Sequence, residues 1–161
     1  MMIKRIVCAL CAVMLALSLC ACGEKTKSID MQALENSMVS ADKTLPEMKV
    51  SGSWEENAEK AFSYISDLEY NKIHGFFLAY AADGMAYEIA VVQLKDKSDA
   101  SAMADSLREH VRSRVQMYKT YEPQQLQRAE SALVKTDGDC VQLIMSDAPQ
   151  TAETAFKEFT K

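Results

Sequence analysis

The stretch that decides the fold is residues 72–95, KIHGFFLAYAADGMAYEIAVVQLK. Two apolar runs flank Asp83-Gly84, and an Asp-Gly pair between such runs is a strong signal for a β-hairpin. A two-residue turn would place three cross-strand pairs on one apolar face: Tyr80 with Tyr87, Leu78 with Ile89, and Phe76 with Val91. The opposite face is shallower and carries one acid, Glu88.

A second hairpin is predicted later in the chain. Asp137-Gly138 separates residues 133–136 from residues 139–145, and Val134 is predicted to pair with Val141. Hairpins are local antiparallel units, so the two signals together favour the α+β class over a parallel α/β fold.

Helical patterns surround the two hairpins. Apolar residues that recur every three or four positions predict helices over residues 31–41, residues 54–65 and residues 99–121. A short helix is predicted from Pro123 and a last one from Pro149, because proline is favoured in the first helical turn. The predicted α+β fold is therefore a four-stranded antiparallel sheet of two hairpins, with helices packed on one face.

The chain begins with the layout of a secretory signal. Met1–Arg5 is basic, and Ile6–Leu19 is an uncharged apolar run of 14 residues, too short to span a bilayer comfortably as a permanent helix. Residues 19–22, Leu-Cys-Ala-Cys, resemble the bacterial lipobox. That resemblance implies cleavage between Ala21 and Cys22 and attachment of a diacylglycerol to Cys22, and it leaves open whether the new amine carries a palmitate or other acyl chain.

Two alternatives to this assignment exist. Cys20 is a rival modification site, but bulky Leu19 would then occupy the position next to the cleaved bond. An ordinary cleaved signal with a chance cysteine is the other, although Cys22 falls where the apolar run ends and a polar segment begins. The predicted organisation is a signal peptide over residues 1–21, a lipidated cysteine and polar tether over residues 22–29, and a single α+β domain over residues 30–161.

Charge and cysteine content narrow the function classes. The formal charge of the 161 residues is −5, and removing Lys4 and Arg5 with the signal lowers it to −7. An acidic domain gains no affinity from a polyanion or an anionic lipid surface, so nucleic acid is excluded as a partner and the anchor alone is expected to contact the membrane. Cys140 is the only other cysteine of the mature chain, so no internal disulfide is predicted.

Four segments resemble a family of small lipoproteins of Gram-positive bacteria that is classed as a domain of unknown function. They are residues 86–92 (AYEIAVV), the charged helix over residues 108–118, Tyr121-Glu-Pro123 with Gln124, and residues 138–144 (GDCVQLI). The resemblance covers residues 31–145 and implies an extracytoplasmic location and this alternation of helices and strands. It implies no activity and no catalytic residue.

Glu88 is the first candidate for a binding site, because it lies within an apolar strand. An unpaired buried carboxylate is costly and tends to protonate, so a carboxylate in such a strand calls for a partner. Glu88 either contacts a ligand or partner on the shallow face or is a solvated residue on the outer side of the hairpin, and the second interpretation is favoured.

The long predicted helix has a basic side, formed by Arg108, Arg112, Arg114 and Lys119. This side either binds an anionic group such as a carboxylate or phosphate, or is solvated and pairs locally with Asp105 and Glu109. The local pairing is favoured, and Arg108 and Arg112 join Glu88 as candidate ligand-binding residues.

Catalysis finds little support in the sequence. Cys140 with His74 or His110 is a conceivable thiol nucleophile and base, but a small buried cysteine in a strand is far commoner. Phosphate-loop, zinc-protease and Ser-elbow motifs are missing, so no catalytic residue, cofactor or metal site is predicted.

The aromatic residues invite a sugar-stacking interpretation, with Trp54 and six tyrosines in the chain. Most of them fit predicted buried faces, so a core role is favoured. The expected function is a non-enzymatic binding or accessory module of the cell envelope, with an envelope protein or a small ligand as partner. A thiol-dependent hydrolase using Cys140 is the alternative.

Overall fold

The computed structural model describes residues 28–161, so the predicted signal peptide and Cys22 lie outside the described residues. The described elements, in chain order, are α1 (Met31–Ala41), β1 (Met48–Gly52), α2 (Ala58–Phe62), β2 (Ile73–Ala81), β3 (Glu88–Leu94), α3 (Ala100–Tyr121), α4 (Leu126–Glu130), β4 (Leu133–Asp137), β5 (Cys140–Met145) and α5 (Pro149–Phe159). Short 3₁₀ turns precede β2, α3 and α4.

The described sheet has five strands in the order β1-β2-β3-β5-β4, and every neighbouring pair is antiparallel. The prediction of four strands is wrong because β1 was missed. This edge strand covers only five residues, and its mixed burial gives a weak alternation. The α+β class is confirmed, and the two predicted hairpins form the β2–β3 and β4–β5 pairs.

The register of the β2–β3 hairpin differs from the predicted one by one residue. Tyr80 lies opposite Glu88 and Leu78 lies opposite Ala90. The two-residue turn was wrong, because residues 82–87 form the connection and the N–H of Ala81 donates to the carbonyl of Tyr87 at 3.0 Å. A one-residue slip moves each partner to the other face of the sheet, so apolar residues are shared between the two faces.

The β4–β5 hairpin has a two-residue turn at Gly138-Asp139. Gly138 occupies the first central position with a φ of 61°, which a type II′ turn requires and glycine adopts without steric cost. Val134 lies opposite Leu143, so the predicted pairing with Val141 is wrong by two positions. A shift of two keeps the faces unchanged: Val141 and Leu143 belong to one core cluster, and partly buried Val134 packs against it.

Helices cover both faces of the sheet, so the prediction of helices on one face is wrong. The α3 face is covered by α2, α3 and α4, and its core contains Phe62, Phe76, Leu78, Val92, Met103, Leu107 and Leu143. The terminal-helix face is covered by α1 and α5, and its core contains Met31, Leu34, Met38, Phe77, Ile89, Val91, Ile144 and Phe156. Both faces need helices because β2 and β3 are apolar on both sides.

The predicted helices over residues 31–41 and 99–121 and the helix starting at Pro149 are confirmed. Asp30 caps α1, because its carboxylate accepts a hydrogen bond from the N–H of Ala33 at 3.0 Å. The predicted helix over residues 54–65 shrinks to α2. Trp54 lies in the preceding turn with its ring against Gly52, where an added Cβ would be 2.3 Å from the ring.

Candidate functional site

Glu88 is buried at the start of β3, beneath α3. Its side chain is 4 % exposed, and the Nε2–H of His110 donates to its Oε1 at 2.7 Å. The Nε of Arg114 lies 3.7 Å from Oε2. The interpretation of Glu88 as a solvated residue is therefore wrong, because α3 covers this side of the hairpin and supplies two basic partners.

The helix spacing of α3 builds this cluster. His110, Arg114 and Tyr118 recur every four residues, which places them on one side of a helix. An N–H of Arg114 donates to the Tyr118 hydroxyl at 2.5 Å, and that hydroxyl donates to the carbonyl of Gly84 at 2.9 Å. Burial raises the pKa of Tyr118 and keeps its hydroxyl protonated for this role. The Glu88 cluster, defined as Glu88, His110, Arg114 and Tyr118, thus ties α3 to β3 and to the hairpin connection.

The carboxylate of Glu88 fixes the orientation of the imidazole of His110. Because a carboxylate only accepts, Nε2 carries the proton and Nδ1 is an acceptor in the neutral ring. His110 also lines a groove of about 270 Å³ on the outside of the domain. The walls of this His110 groove are residues 63–67, which follow α2, and Ser106, Glu109 and Ser113 of α3.

A second cluster lies just beyond the same end of β5, because Glu88 is opposite Met145 and Asp147 follows two residues later. The guanidinium of Arg128 donates to both carboxylate oxygens of Asp147, at 2.7 and 3.0 Å, and stacks 3.9 Å from the ring centroid of Tyr87. The Tyr87 hydroxyl donates to the same carboxylate at 2.8 Å. Hydrogen bonding from Arg128 lowers the pKa of Asp147, and desolvation by burial is the main cause that raises the pKa of Tyr87. The cluster joins α4 to the end of β5.

Arg108 and Arg112 lie on the exposed side of α3, away from the Glu88 cluster. Arg108 donates to Asp105 at 2.8 Å, and Arg112 donates to Glu109. The predicted local partners are thus confirmed. The structure does not bring these two arginines together with Glu88, whose basic partners are His110 and Arg114.

Cys140 is buried on the terminal-helix face, on the opposite side of the sheet from His110. Its thiol is 3.8 Å from Asp139 Oδ1. Burial, aided by Asp139, raises the pKa of the thiol to about 12. Little thiolate is therefore present at neutral pH, and thiolate is the nucleophilic form. His74 is exposed on β2.

The aromatic residues divide between core and surface. Tyr87 and Tyr118 are buried as predicted, whereas Trp54, Tyr64, Tyr80 and Tyr121 are exposed. The prediction that the aromatic residues belong to the core was wrong for these four. Trp54 and Tyr64 lie in turns, Tyr121 lies at the end of α3, and Tyr80 lies on the outer part of the β1–β2 pair. Tyr64 stands at the rim of the His110 groove.

No group of three or more His, Cys, Asp or Glu residues within residues 28–161 is arranged to hold a metal ion. Over the same range, no helix combines the length and apolar character needed to cross a membrane.

Sequence reasoning found Glu88 but missed its connection to His110. The two residues are 22 positions apart on different elements, so their contact depends on how α3 lies on the sheet. The available signal was the four-residue spacing of His110, Arg114 and Tyr118 within a helix whose apolar stripe faces the sheet.

The fold and the site define a class of protein. It is an α+β domain whose antiparallel sheet is covered by helices on both faces, and its buried Glu88 is paired with two basic residues of α3. The model of the family described as domain of unknown function DUF4358 matches residues 48–146, and the chain belongs to that family. No curated protein matches the chain, and no solved structure matches it.

The matched residues divide the domain unequally. They include all five strands, α2, α3, α4, the Glu88 cluster and the His110 groove, whereas α1 and α5 lie outside the match. The family model therefore describes the sheet with the helices of the α3 face.

Proposed function

We propose that this protein is an extracytoplasmic lipoprotein of a Gram-positive bacterium, anchored to the cell membrane by a diacylglycerol on Cys22. Its domain is a non-enzymatic binding or accessory module of the cell envelope. Its partner is an envelope protein or a small ligand.

The observation that carries the proposal is the sequence of residues 6–22, an uncharged apolar run that ends in Leu-Cys-Ala-Cys. A diacylglycerol contributes two acyl chains, which suffice for stable anchoring, whereas one chain gives marginal binding. The resemblance of residues 31–145 to small lipoproteins supports the same location.

The distance from the anchor to the domain supports a position close to the bilayer. Helix α1 begins at Met31, so residues 22–29 form the connection. Eight extended residues span at most about 28 Å. A partner that this domain reaches must therefore lie near the outer surface of the membrane.

The state of Cys140 favours binding over thiol hydrolysis. A thiol whose burial raises its pKa to about 12 is a poor nucleophile at neutral pH. His110, the base that a hydrolase would need, is held by Glu88 on the other side of the sheet. The buried charged groups of the α3 face pair with one another and thereby join elements of the fold.

The anchoring is tested with two cysteine variants made in the full chain. We expect Cys22→Ser to lose the acyl mass on the amino-terminal peptide and to leave the membrane fraction. Intact-mass spectrometry of protein expressed in a Gram-positive host measures the first effect, and fractionation measures the second.

Cys20→Ser is the matched control, since it changes the rival site two residues away and should keep both acyl mass and membrane location. Loss of the acyl group in Cys20→Ser but not in Cys22→Ser would show that Cys20, and not Cys22, is the lipidated residue. An unprocessed or acyl-free amino terminus in the unaltered protein would overturn the proposal.

A further inference from the structure

We propose that the His110 groove binds a neutral carbohydrate, a ligand class that deepens the proposed envelope function and rests on it. The groove has a volume of about 270 Å³ and lies between residues 63–67 and one side of α3. It is thus part of the region that the family model matches.

The local sequence builds a continuous polar wall. Ser106, Glu109, His110 and Ser113 are spaced by three, one and three residues, which places them on one side of α3. The opposite wall is the segment after α2, where buried Ile65 fixes the backbone and leaves Tyr64 and Asp67 exposed on the surface.

Several polar groups of the groove are free to bind a ligand. The carboxylate of Asp67, the hydroxyls of Ser106 and Ser113, and the Nδ1 of His110 have no hydrogen-bond partner in the part of the chain that the structure describes. Hydroxyls both donate and accept, and a carboxylate accepts only. Such a mixture matches the hydroxyl groups of a sugar, which also donate and accept.

His110 is the most firmly held of these groups. Its Nε2–H is held by the buried carboxylate of Glu88 at 2.7 Å, so the ring cannot turn without breaking a charge-assisted hydrogen bond. Glu88 thus acts as a positioning residue that holds the His110 ring at a fixed place beside the groove.

Tyr64 supplies the apolar part of the site. It is 66 % exposed at the groove. An exposed aromatic ring offers a flat apolar surface with a hydroxyl at one end, and the C–H face of a pyranose fits such a surface. The ring would thus cover the apolar side of a sugar whose hydroxyls point to α3.

Charge separates a neutral sugar from an anionic ligand. The groove contains the carboxylates of Asp67 and Glu109, and among residues 28–161 only Glu109 of these two has a basic partner, Arg112. An anionic ligand would meet this negative charge without a free cation to bind it. A neutral carbohydrate avoids that repulsion.

Isothermal titration calorimetry tests the proposal on the mature lipid-bearing protein in a zwitterionic detergent, which has no sugar headgroup. The neutral probes are cellotetraose and tetra-N-acetylchitotetraose, and tetragalacturonate and spermidine are the anionic and cationic controls. We expect saturable binding of at least one neutral tetrasaccharide and weaker or no binding of the charged controls.

Two tyrosine variants localise the binding. We expect Tyr64→Ala to weaken tetrasaccharide affinity about tenfold, whereas Tyr121→Ala, which removes an even more exposed ring at the end of α3, leaves the affinity unchanged. Asp67→Asn, in the same exposed segment, should weaken binding without unfolding the domain, as circular dichroism will verify.

Three results would overturn the groove assignment: no binding of either neutral probe, equal loss in the Tyr64 and Tyr121 variants, or tighter binding of a charged control. Each of them leaves the acyl mass on Cys22 untouched. Conversely, an acyl-free Cys22 with intact tetrasaccharide binding would overturn the lipoprotein proposal alone.

Discussion

The two faces of the sheet are both covered by helices but differ in how completely their carboxylates are paired with basic groups. On the α3 face, Glu88 is paired with His110 and Arg114, and Asp147 with Arg128. On the terminal-helix face, Glu35 is buried on α1 without a basic partner among residues 28–161, and burial raises its pKa. Glu153 of α5, which is also buried, accepts hydrogen bonds from Lys135 of β4 and from Lys157.

This difference indicates that the helices on the two faces are held against the sheet in different ways. The paired charges fix α3 and α4 in one place relative to the sheet, because a buried ion pair is favourable only in good geometry. The terminal helices are held by apolar contacts, which are not directional, together with the ion pair between Glu153 of α5 and Lys135 of β4. The groove we propose as a binding site lies in the layer with the fixed geometry.

The largest expected effect tests whether both layers belong to one cooperative core. Phe156→Ala in α5 should reduce the free energy of unfolding by about 3–5 kcal/mol, and Leu107→Ala in α3 by about 2–5 kcal/mol, because each fully buried side chain leaves a cavity. Urea unfolding followed by circular dichroism and by Trp54 fluorescence measures both.

Coincident transitions in the two signals would show that the layers unfold together. If Phe156→Ala instead shows an early circular dichroism step that Trp54 does not report, the terminal helices form a separate unit and the single-core view fails.

The next effect sharpens the contrast in charge. Glu88→Gln should reduce the free energy of unfolding by about 2 kcal/mol, since it keeps the shape but removes the charge that is hydrogen-bonded to His110 and paired with Arg114. A double-mutant cycle with His110→Gln should give a coupling energy clearly different from zero. Additive losses in urea unfolding would mean that the 2.7 Å contact contributes nothing.

Features that depend on local interactions could be predicted from the sequence, whereas features that depend on contacts between distant residues could not. Helices α1, α3 and α5 were predicted because their apolar spacing and their Asp or Pro start signals are local. The existence of the β2–β3 hairpin was also predictable, since Asp83-Gly84 is a local signal.

The register of that hairpin was not predictable. Asp83-Gly84 indicates that a turn is present, but it does not show that the connection has six residues instead of two. Strand β1 was missed for another reason: five residues at a sheet edge are too few for an alternation of apolar and polar residues to be recognised. The burial of Glu88 depended on α3 crossing the same face, a tertiary contact that no local pattern encodes. For the site, the sequence supplied Glu88 and the partners of Arg108 and Arg112, but not the groove.

A smaller effect concerns the second charged cluster of the α3 face. Asp147→Asn should reduce the free energy of unfolding near pH 7 by about 1 kcal/mol, a modest value because Asp147 is half exposed. Hydrogen bonds from Arg128 lower the pKa of Asp147 in the folded state.

The stabilisation by Asp147 is therefore present above the ordinary pKa of aspartate and is lost as pH falls through the lowered folded value. Urea unfolding between about pH 7 and pH 2 should show the two proteins converging in acid. A gap that persists unchanged at the acid end would contradict this assignment.

The smallest effect has the opposite sign and lies on the terminal-helix face. Glu35→Gln should increase the free energy of unfolding at pH 7 by up to about 1 kcal/mol, because it removes a carboxylate that burial disfavours in its charged form. A raised folded pKa means that stability is lost as pH rises through it.

The gain should accordingly vanish below the ordinary pKa of glutamate, where both proteins are uncharged at this position. Thermal unfolding at about pH 7 and about pH 3.5 measures the difference. Asn36→Gln, at the exposed neighbouring position of α1, serves as the control. A destabilised Glu35→Gln at pH 7 would reveal a favourable role for the charge.

The hydrogen bond that Ile29 makes at the entrance to the fold has a mechanical consequence. Its N–H donates to Oε1 of Gln93 at 2.9 Å, and Nε2 of Gln93 donates to Asp139 at 2.9 Å in the turn before β5. Any tension on the preceding residues reaches β3 and β5 through this link before it acts on α1. Force applied from the amino-terminal side therefore acts first on the inner strands β3 and β5. Helix α1 bears that force only after the hydrogen bond between Ile29 and Gln93 has broken.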